Sequence, residues 1–96
     1  MYCVYVLQHT MNGERYIGYT NDLRRRITEH NAGLQAATRR KSGKWILIYA
    51  EIFRAKSDAQ TRERRLKNNA RGRQELWKRI TASEISWTPK SGVGRS

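Results

Sequence analysis

The chain has 96 residues, which suits one small domain and leaves no room for a second. It carries 20 Lys and Arg against 8 Asp and Glu, so its net charge of +12 favours a nucleic acid as partner, with a plain basic surface as the alternative. A single cysteine excludes an internal disulfide, and no apolar run could serve as a signal sequence or span a bilayer, so we expect a cytoplasmic protein without a membrane partner.

Two strands joined by a tight turn are predicted at the N-terminus. The segments Tyr2–Gln8 and Arg15–Tyr19 are rich in Val, Ile and Tyr, and Asn12-Gly13 between them is a strong hairpin signal. A two-residue loop and a four-residue loop at this turn both place Tyr5 and Tyr16 on the same face of the sheet. The longer loop brings the two phenols closer together. The alternative is that both rings only cover a sheet face.

A helix, a loop and a third strand are predicted next. Thr20 or Asn21 can cap the helix, and Ala32-Gly33 ends it. Residues 34–43 are polar, small or basic, as is typical of a loop. Trp45–Phe53 is apolar along much of its length and is predicted to be the third strand.

Periodicity distinguishes among the consecutive arginines of the first helix. Leu23 and Ile27 define its apolar stripe. At about 100° per residue, Arg26 lies roughly 60° from Leu23, at the edge of that stripe, whereas Arg25 faces solvent. His30 shares the direction of Arg26, one turn later. An arginine and a histidine at the rim of a core suit an anion in a cleft, and the alternative is a solvated basic helix.

Two more helices complete the predicted fold. The segment 57–60 resembles a capping box and predicts a helix from Ser57 to about Asn68. Asn69–Gly72 is expected to break it, and Gln74–Ile80 to form the last helix. Residues 82–96 are expected to be a flexible tail beyond a domain of residues 1–81. The order β-β-α-β-α-α indicates an α+β fold with a three-stranded, mainly antiparallel sheet flanked by about three helices.

One acidic residue of the second predicted helix stands on its apolar side. Ala59, Leu66 and Ala70 trace the apolar stripe, and Glu63 falls in the middle of it. A carboxylate that faces a core is costly unless a cation satisfies it. The sequence offers two such cations, the guanidinium of Arg26 or a divalent metal.

The remaining acids are too sparse and scattered for a two-metal nuclease site, and no glycine-rich phosphate loop or Ser-His-Asp arrangement is evident. Any hydrolysis would therefore depend on tyrosine, arginine, histidine and one acid. The loop before the third strand is expected to contact a nucleic-acid backbone, or else to be merely solvated. Its candidate residues are Arg39, Arg40, Lys41 and Lys44, together with Thr38 and Trp45.

An ordered set of short motifs extends over about residues 2–80. They are Cys3-Val4-Tyr5 in place of Gly-Ile-Tyr, Tyr16-Ile17-Gly18, Thr20, Arg26, His30-Asn31, Ala37-Thr38-Arg39, Trp45, Tyr49-Ala50-Glu51 and Ala59–Lys67 around Glu63. In this set the chain resembles the small stand-alone bacterial members of the GIY-YIG nuclease superfamily, and it is similar to the N-terminal nuclease domain of UvrC repair proteins. The resemblance implies a three-stranded antiparallel sheet and metal-dependent cleavage of DNA.

The resemblance also implies roles for individual residues. Tyr5 and Tyr16 would line the site, and one of them would deprotonate or orient the attacking water. Arg26 would hold the scissile phosphate, His30 would assist proton transfer or order a tyrosine, and Glu63 would bind one Mg²⁺ or Mn²⁺. Two further residues would contact the nucleic acid. Gly18 would let a phosphate approach the protein backbone closely, and the side chain of Lys67 would contact the nucleic acid.

Two hypotheses about function follow. The first is a metal-dependent endonuclease in repair or recombination that acts on branched, flapped or damaged DNA, with a separate protein supplying specificity. The second is a nucleic-acid-binding module with little or no turnover, which the departure at Cys3-Val4 would favour because cysteine fills space that glycine leaves free. A third reading, a small RNA-associated basic protein, would require a preference for structured RNA.

Overall fold

A computed structural model describes residues 1–40 and 42–84. Three strands, three helices and two short 3₁₀ turns follow one another in the predicted order, which confirms the α+β assignment. They are β1 (Tyr2–His9), β2 (Arg15–Thr20), α1 (Leu23–Asn31), a turn at Ala36–Thr38, β3 (Trp45–Phe53), α2 (Lys56–Asn68), α3 (Ala70–Arg79) and a turn at Thr81–Ser83. Most of the predicted tail, residues 85–96, lies outside the described residues, so the flexible tail stays a prediction.

The sheet is antiparallel throughout and has the order β2-β1-β3, so β1 is its central strand. Tyr5 pairs with Gly18, and Leu7 pairs with Tyr16. This is the register of the four-residue loop, which closes with the His9 amide donating to the carbonyl of Glu14 at 2.8 Å. Of the two registers that the sequence left open, the structure therefore has the one that brings the two phenols closer.

The helices cover the two faces of this sheet. Helices α2 and α3 pack on one face against the main core, whose buried members are Val4, Val6, Ile17, Ile48, Ala59, Leu66, Leu76 and Ile80. Helix α1 packs on the other face, where Leu23 and Ile27 contact a smaller cluster of Cys3, Tyr5, Leu7 and Trp45. The predicted apolar stripe of α1 is thus confirmed. None of the helices in the described ranges is both long and apolar enough to cross a bilayer.

The predicted starts of the three helices were wrong, and side chains other than the predicted ones cap α1 and α3. Asp22, not Thr20 or Asn21, caps α1, and its carboxylate accepts from the Arg25 amide at 3.1 Å. The Thr20 hydroxyl instead accepts from the Asp22 amide at 3.0 Å, which orders the turn before the cap.

The last two helices also begin earlier than predicted. Helix α2 starts at Lys56 without a side-chain cap, so the capping box at 57–60 does not form. The break after α2 was predicted to span Asn69–Gly72 but is the single residue Asn69. Its side chain accepts from the Gly72 amide at 3.0 Å and so caps α3, which begins at the next residue. Ala70 therefore opens α3 as an exposed residue and does not belong to the apolar stripe of α2.

Candidate active site

A cleft of about 360 Å³ opens at the edge of the sheet formed by β2. Residues from β1, β2, α1 and α2 meet in it, although they are far apart along the chain. Five of the residues that the sequence selected line this cleft: Tyr5, Tyr16, Gly18, Arg26 and Glu63.

Tyr5 comes from the central strand and lies at the inner wall of the cleft. Its side chain is almost fully buried, and its hydroxyl is 2.8 Å from His30 Nε2. A Cβ atom placed on Gly18 would lie 2.5 Å from the Tyr5 hydroxyl oxygen and 2.7 Å from Cζ. Glycine is thus required opposite Tyr5 to leave room for the phenol, a reason that the sequence did not reveal.

Tyr16 lies beside Tyr5 on the same face, as the strand alternation predicts. The two ring centroids are 6.4 Å apart, and the Tyr16 centroid is 4.9 Å from that of His30. The Lys67 ammonium lies 5.6 Å from the Tyr16 ring centroid, so a cation from α2 approaches the same ring.

His30 is buried behind the two phenols, and both of its ring nitrogens have partners. Nε2 contacts the Tyr5 hydroxyl, and Nδ1 lies 2.6 Å from the Thr38 hydroxyl. Burial, aided by the charge of Arg26, lowers the pKa of His30 below its ordinary value. Burial, aided by Tyr16, raises the pKa of Tyr5. Both groups of the pair are therefore neutral at neutral pH.

Arg26 presents its guanidinium to the cleft, as the helical periodicity predicts. Its side chain is 31% exposed and lies 3.7 Å from Glu29, whereas the neighbouring Arg25 side chain is 61% exposed. Within the described residues, the buried Nε of Arg26 has no hydrogen-bond partner. An unpaired buried donor costs about 1–3 kcal/mol, so an anion in the cleft would be stabilised by this group.

Glu63 projects from α2 into the same cleft with a side chain only 19% exposed. It pairs with Lys67 Nζ at 3.0 Å, so the Arg26–Glu63 salt bridge considered from the sequence does not form. The reason is local, because residues four apart on a helix are neighbours. No group of three or more His, Cys, Asp or Glu side chains able to hold a metal occurs in the described part of the chain. A lone carboxylate fits Mg²⁺ or Mn²⁺ when phosphate oxygens and water complete the shell.

The residues predicted to contact nucleic acid from the loop lie elsewhere. Thr38 is buried and bonds to His30, so its hydroxyl does not face solvent. Arg40 pairs with Glu14 at 2.6 Å, and Arg39 donates to a backbone carbonyl at 2.9 Å. Lys44 is exposed. Among the described residues that line the cleft, none of these four occurs.

Four lining residues were not selected from the sequence: Tyr19, Thr20, Asn21 and Lys56. One of them had a usable signal, because Lys56 precedes Glu63 by two helical turns and so shares its face. Tyr19 points to the opposite side of β2 from Tyr16, and the Gln60 side chain donates to its hydroxyl at 2.9 Å. Tyr19 borders the cleft because α2, which also contributes Lys56 and Glu63, packs beside it.

The departure from the usual first motif leaves this cleft open. Cys3 is buried on the face that carries Tyr5, but it lines a separate apolar pocket of about 210 Å³ with Tyr2 and Leu23. It does not occur among the described residues that line the cleft at the β2 edge.

Comparison with known proteins gives concordant results. Residues 1–76 match the family described as the GIY-YIG catalytic domain. The chain is 41% identical over 75 residues to a UPF0213 protein of Halobacterium salinarum, covering 78% of this chain and 96% of that one. It is 42% identical over 72 residues to a UPF0213 protein of Streptococcus pneumoniae, covering 75% and 72%. The solution NMR structure of a UPF0213 protein from Bacillus halodurans has a TM-score of 0.51 at 28% identity, over 92% of this chain and 100% of that chain. The chain therefore belongs to the GIY-YIG family.

Proposed function

We propose that this protein is a metal-dependent endonuclease that hydrolyses DNA phosphodiester bonds in the cleft at the β2 edge. Membership of the GIY-YIG family implies nuclease activity in general, with DNA as the substrate. The observation that carries the finer proposal is the convergence on two phenols of Arg26, whose buried Nε has no hydrogen-bond partner among the described residues, and a single carboxylate, Glu63.

Arg26 is the residue best placed to hold the scissile phosphate. A guanidinium is planar and always charged, and its fork of donors matches phosphate oxygens. Because the buried Nε has only an ion-pair contact with Glu29 at 3.7 Å and no hydrogen-bond partner among the described residues, a phosphate oxygen would satisfy it without displacing an existing hydrogen bond. A donor placed where negative charge develops contributes about 10²–10³ to the rate.

Glu63 is the proposed ligand for one Mg²⁺ or Mn²⁺. When bound, the metal would polarise the phosphoryl oxygen and stabilise the charge of the leaving oxygen. Lys67 neutralises Glu63 from a half-exposed, flexible side chain. It can therefore release the carboxylate and contact the DNA backbone, which agrees with its expected role.

The Tyr5–His30 pair is the proposed proton acceptor. As the water oxygen bonds to phosphorus, one water proton passes to the Tyr5 oxygen while the Tyr5 proton passes to His30 Nε2. The bond from phosphorus to the leaving sugar oxygen breaks, and that oxygen takes a proton from solvent. His30 then returns its proton to Tyr5 as the Tyr5 hydroxyl releases a proton to water in the cleft, so the steps balance. Tyr16, within ring contact of both groups, orients the water.

The natural substrate is proposed to be branched, flapped or damaged DNA, met in repair or recombination. The candidate catalytic residues lie in a single cleft. The positive net charge of the chain supports binding to any DNA backbone without sequence preference. A separate protein that supplies specificity fits this arrangement.

The test is cleavage of labelled flap, junction and duplex DNA with Mg²⁺ or Mn²⁺. We expect Glu63→Gln to abolish cleavage and Arg26→Ala to lower kcat by about 10²–10³. Glu75→Gln and Arg25→Ala are matched controls, because these side chains are 65% and 61% exposed, and they should cleave nearly as wild type does.

Two outcomes would overturn the proposal. Cleavage that persists in Glu63→Gln would indicate a contaminant or a different site. A wild-type protein that binds DNA tightly but cuts none of the three substrates, with Glu63→Gln binding equally well, would establish a binding module instead.

A further inference from the structure

We propose that Thr38 is a positioning residue that holds His30 in the tautomer with hydrogen on Nδ1, leaving Nε2 free to take the Tyr5 proton. This inference rests on the proposed function for its catalytic meaning. The hydrogen-bonded chain itself can be tested without any activity.

The contacts form a continuous chain through the smaller core. The Tyr5 hydroxyl is 2.8 Å from His30 Nε2, and His30 Nδ1 is 2.6 Å from the Thr38 hydroxyl. The Thr38 hydroxyl in turn lies 3.4 Å from the Gln35 carbonyl oxygen. The three side chains in the middle of this chain are each at most 2% exposed.

Counting donors and acceptors decides the direction of the chain. A carbonyl oxygen can only accept, and a neutral imidazole donates from one nitrogen and accepts at the other. If Tyr5 donates to Nε2, then Nδ1–H donates to Thr38 and the Thr38 hydroxyl donates to Gln35. All three hydrogens are then satisfied.

In the reverse direction, one hydrogen fewer is bonded to an acceptor within the protein. Thr38 would donate to Nδ1 and Nε2–H would donate to the Tyr5 oxygen, so the Tyr5 hydrogen would have to turn away from His30 towards the cleft that Tyr5 lines. The first direction pairs every hydrogen within the protein and keeps the hydrogen bond from the Thr38 hydroxyl to the Gln35 carbonyl, so it is favoured. In the reverse tautomer, Nε2 already carries a hydrogen and cannot accept the Tyr5 proton.

The turn that carries Thr38 is held firmly. Its amide donates to the Gln35 carbonyl at 3.1 Å, and its own carbonyl accepts from the Trp45 indole at 2.8 Å. Trp45 is fixed in turn by two backbone hydrogen bonds to the Asn31 side chain, at 2.7 and 3.1 Å. The hydroxyl is thus presented to His30 by a turn tied to both α1 and β3, which is the arrangement needed to set a tautomer.

The test is the ¹⁵N and long-range ¹H–¹⁵N NMR spectrum of His30 at neutral pH. We expect wild type to show hydrogen on Nδ1 and an unprotonated Nε2. Thr38→Val keeps the side-chain shape without the hydroxyl and should shift the spectrum towards hydrogen on Nε2. Thr38→Ser should restore the wild-type spectrum, and Thr28→Val, on the exposed side of α1, should leave it unchanged. In DNA cleavage, Thr38→Val should lower kcat by about 10–100-fold with little change in KM, and Thr38→Ser should recover it.

A wild-type spectrum that shows hydrogen on Nε2 would overturn the inference by itself. The test therefore remains decisive even if Thr38→Val does not fold. A folded Thr38→Val that retains the wild-type tautomer overturns it as well. The failure of wild type to cleave DNA would instead refute the proposed function, and the NMR measurement would still judge the role of Thr38.

Discussion

Replacement of Gly18 by alanine should be unusually damaging for so small a change. The added methyl group would lie 2.5 Å from the Tyr5 hydroxyl oxygen, 2.7 Å from Cζ and 3.2 Å from a Tyr16 ring carbon. The phenol cannot easily give way, because its ring is buried and its hydroxyl is bonded to His30. Either the strands separate or Tyr5 leaves His30.

The size of the effect follows from the cost of overpacking. An extra methyl group in a well-packed core costs about 1–3 kcal/mol. For a domain of this size, each kcal/mol lowers Tm by about 4–8 °C, so we expect a loss of about 4–24 °C. If Tyr5 moves instead, one hydrogen bond worth about 0.5–1.5 kcal/mol is lost, and with it the proposed proton acceptor.

Gly72→Ala is the matched control. Gly72 lies in the first turn of α3, and a Cβ there would meet only the Asn69 side chain, at 3.6 Å or more. Since glycine is less favourable than alanine in helices by about 0.8–1.0 kcal/mol, this variant should be as stable as wild type or more stable.

Thermal unfolding followed by circular dichroism, together with DNA cleavage, checks the prediction. We expect Gly18→Ala to lose both stability and activity and Gly72→Ala to lose neither. A Gly18→Ala variant that melts with wild type and cleaves normally would refute the argument that Tyr5 needs this glycine.

Two further predictions concern ionic interactions away from the cleft. Glu51 pairs with Arg62 at 2.7 Å and accepts from the Tyr49 hydroxyl at 2.6 Å. Burial would raise the pKa of Glu51, but the hydrogen bonds from Arg62 and Tyr49 outweigh it and hold the pKa below its ordinary value. This pair therefore stabilises the fold above the unfolded pKa of about 4.3, and the contribution is lost as pH falls below that value. Glu51→Gln should lower the free energy of unfolding at pH 7 by about 1–3 kcal/mol and flatten its acid dependence in urea titrations, and parallel curves for the two proteins would contradict this. Separately, Lys44→Glu should weaken DNA binding and reduce the slope of log K against log salt by about 0.9. The control is Lys78→Glu, on a 75% exposed side chain of α3. Equal effects of the two substitutions would show that the loop does not contact the DNA.

Much of the site could be predicted because it depends on periodicity within single elements. Alternation along two hairpin strands was enough to place Tyr5 and Tyr16 on one face. The spacing of apolar residues on α1 was enough to separate Arg26 from Arg25. Both rules act between residues close in sequence, and the structure agrees with them.

The sequence by itself thus determined the order of elements and the shared face of Tyr5 and Tyr16, and its motifs indicated the family, whereas the choice between two hairpin registers came from the structure. Only the tertiary structure decided that Glu63 pairs with Lys67, that Gly18 makes room for a phenol and that Thr38 serves His30. Each of these side chains had several partners compatible with its local pattern. The choice among them depends on where the turn that carries Thr38 lies and on where α2 packs against the sheet. Packing between segments that are distant in the chain sets both positions.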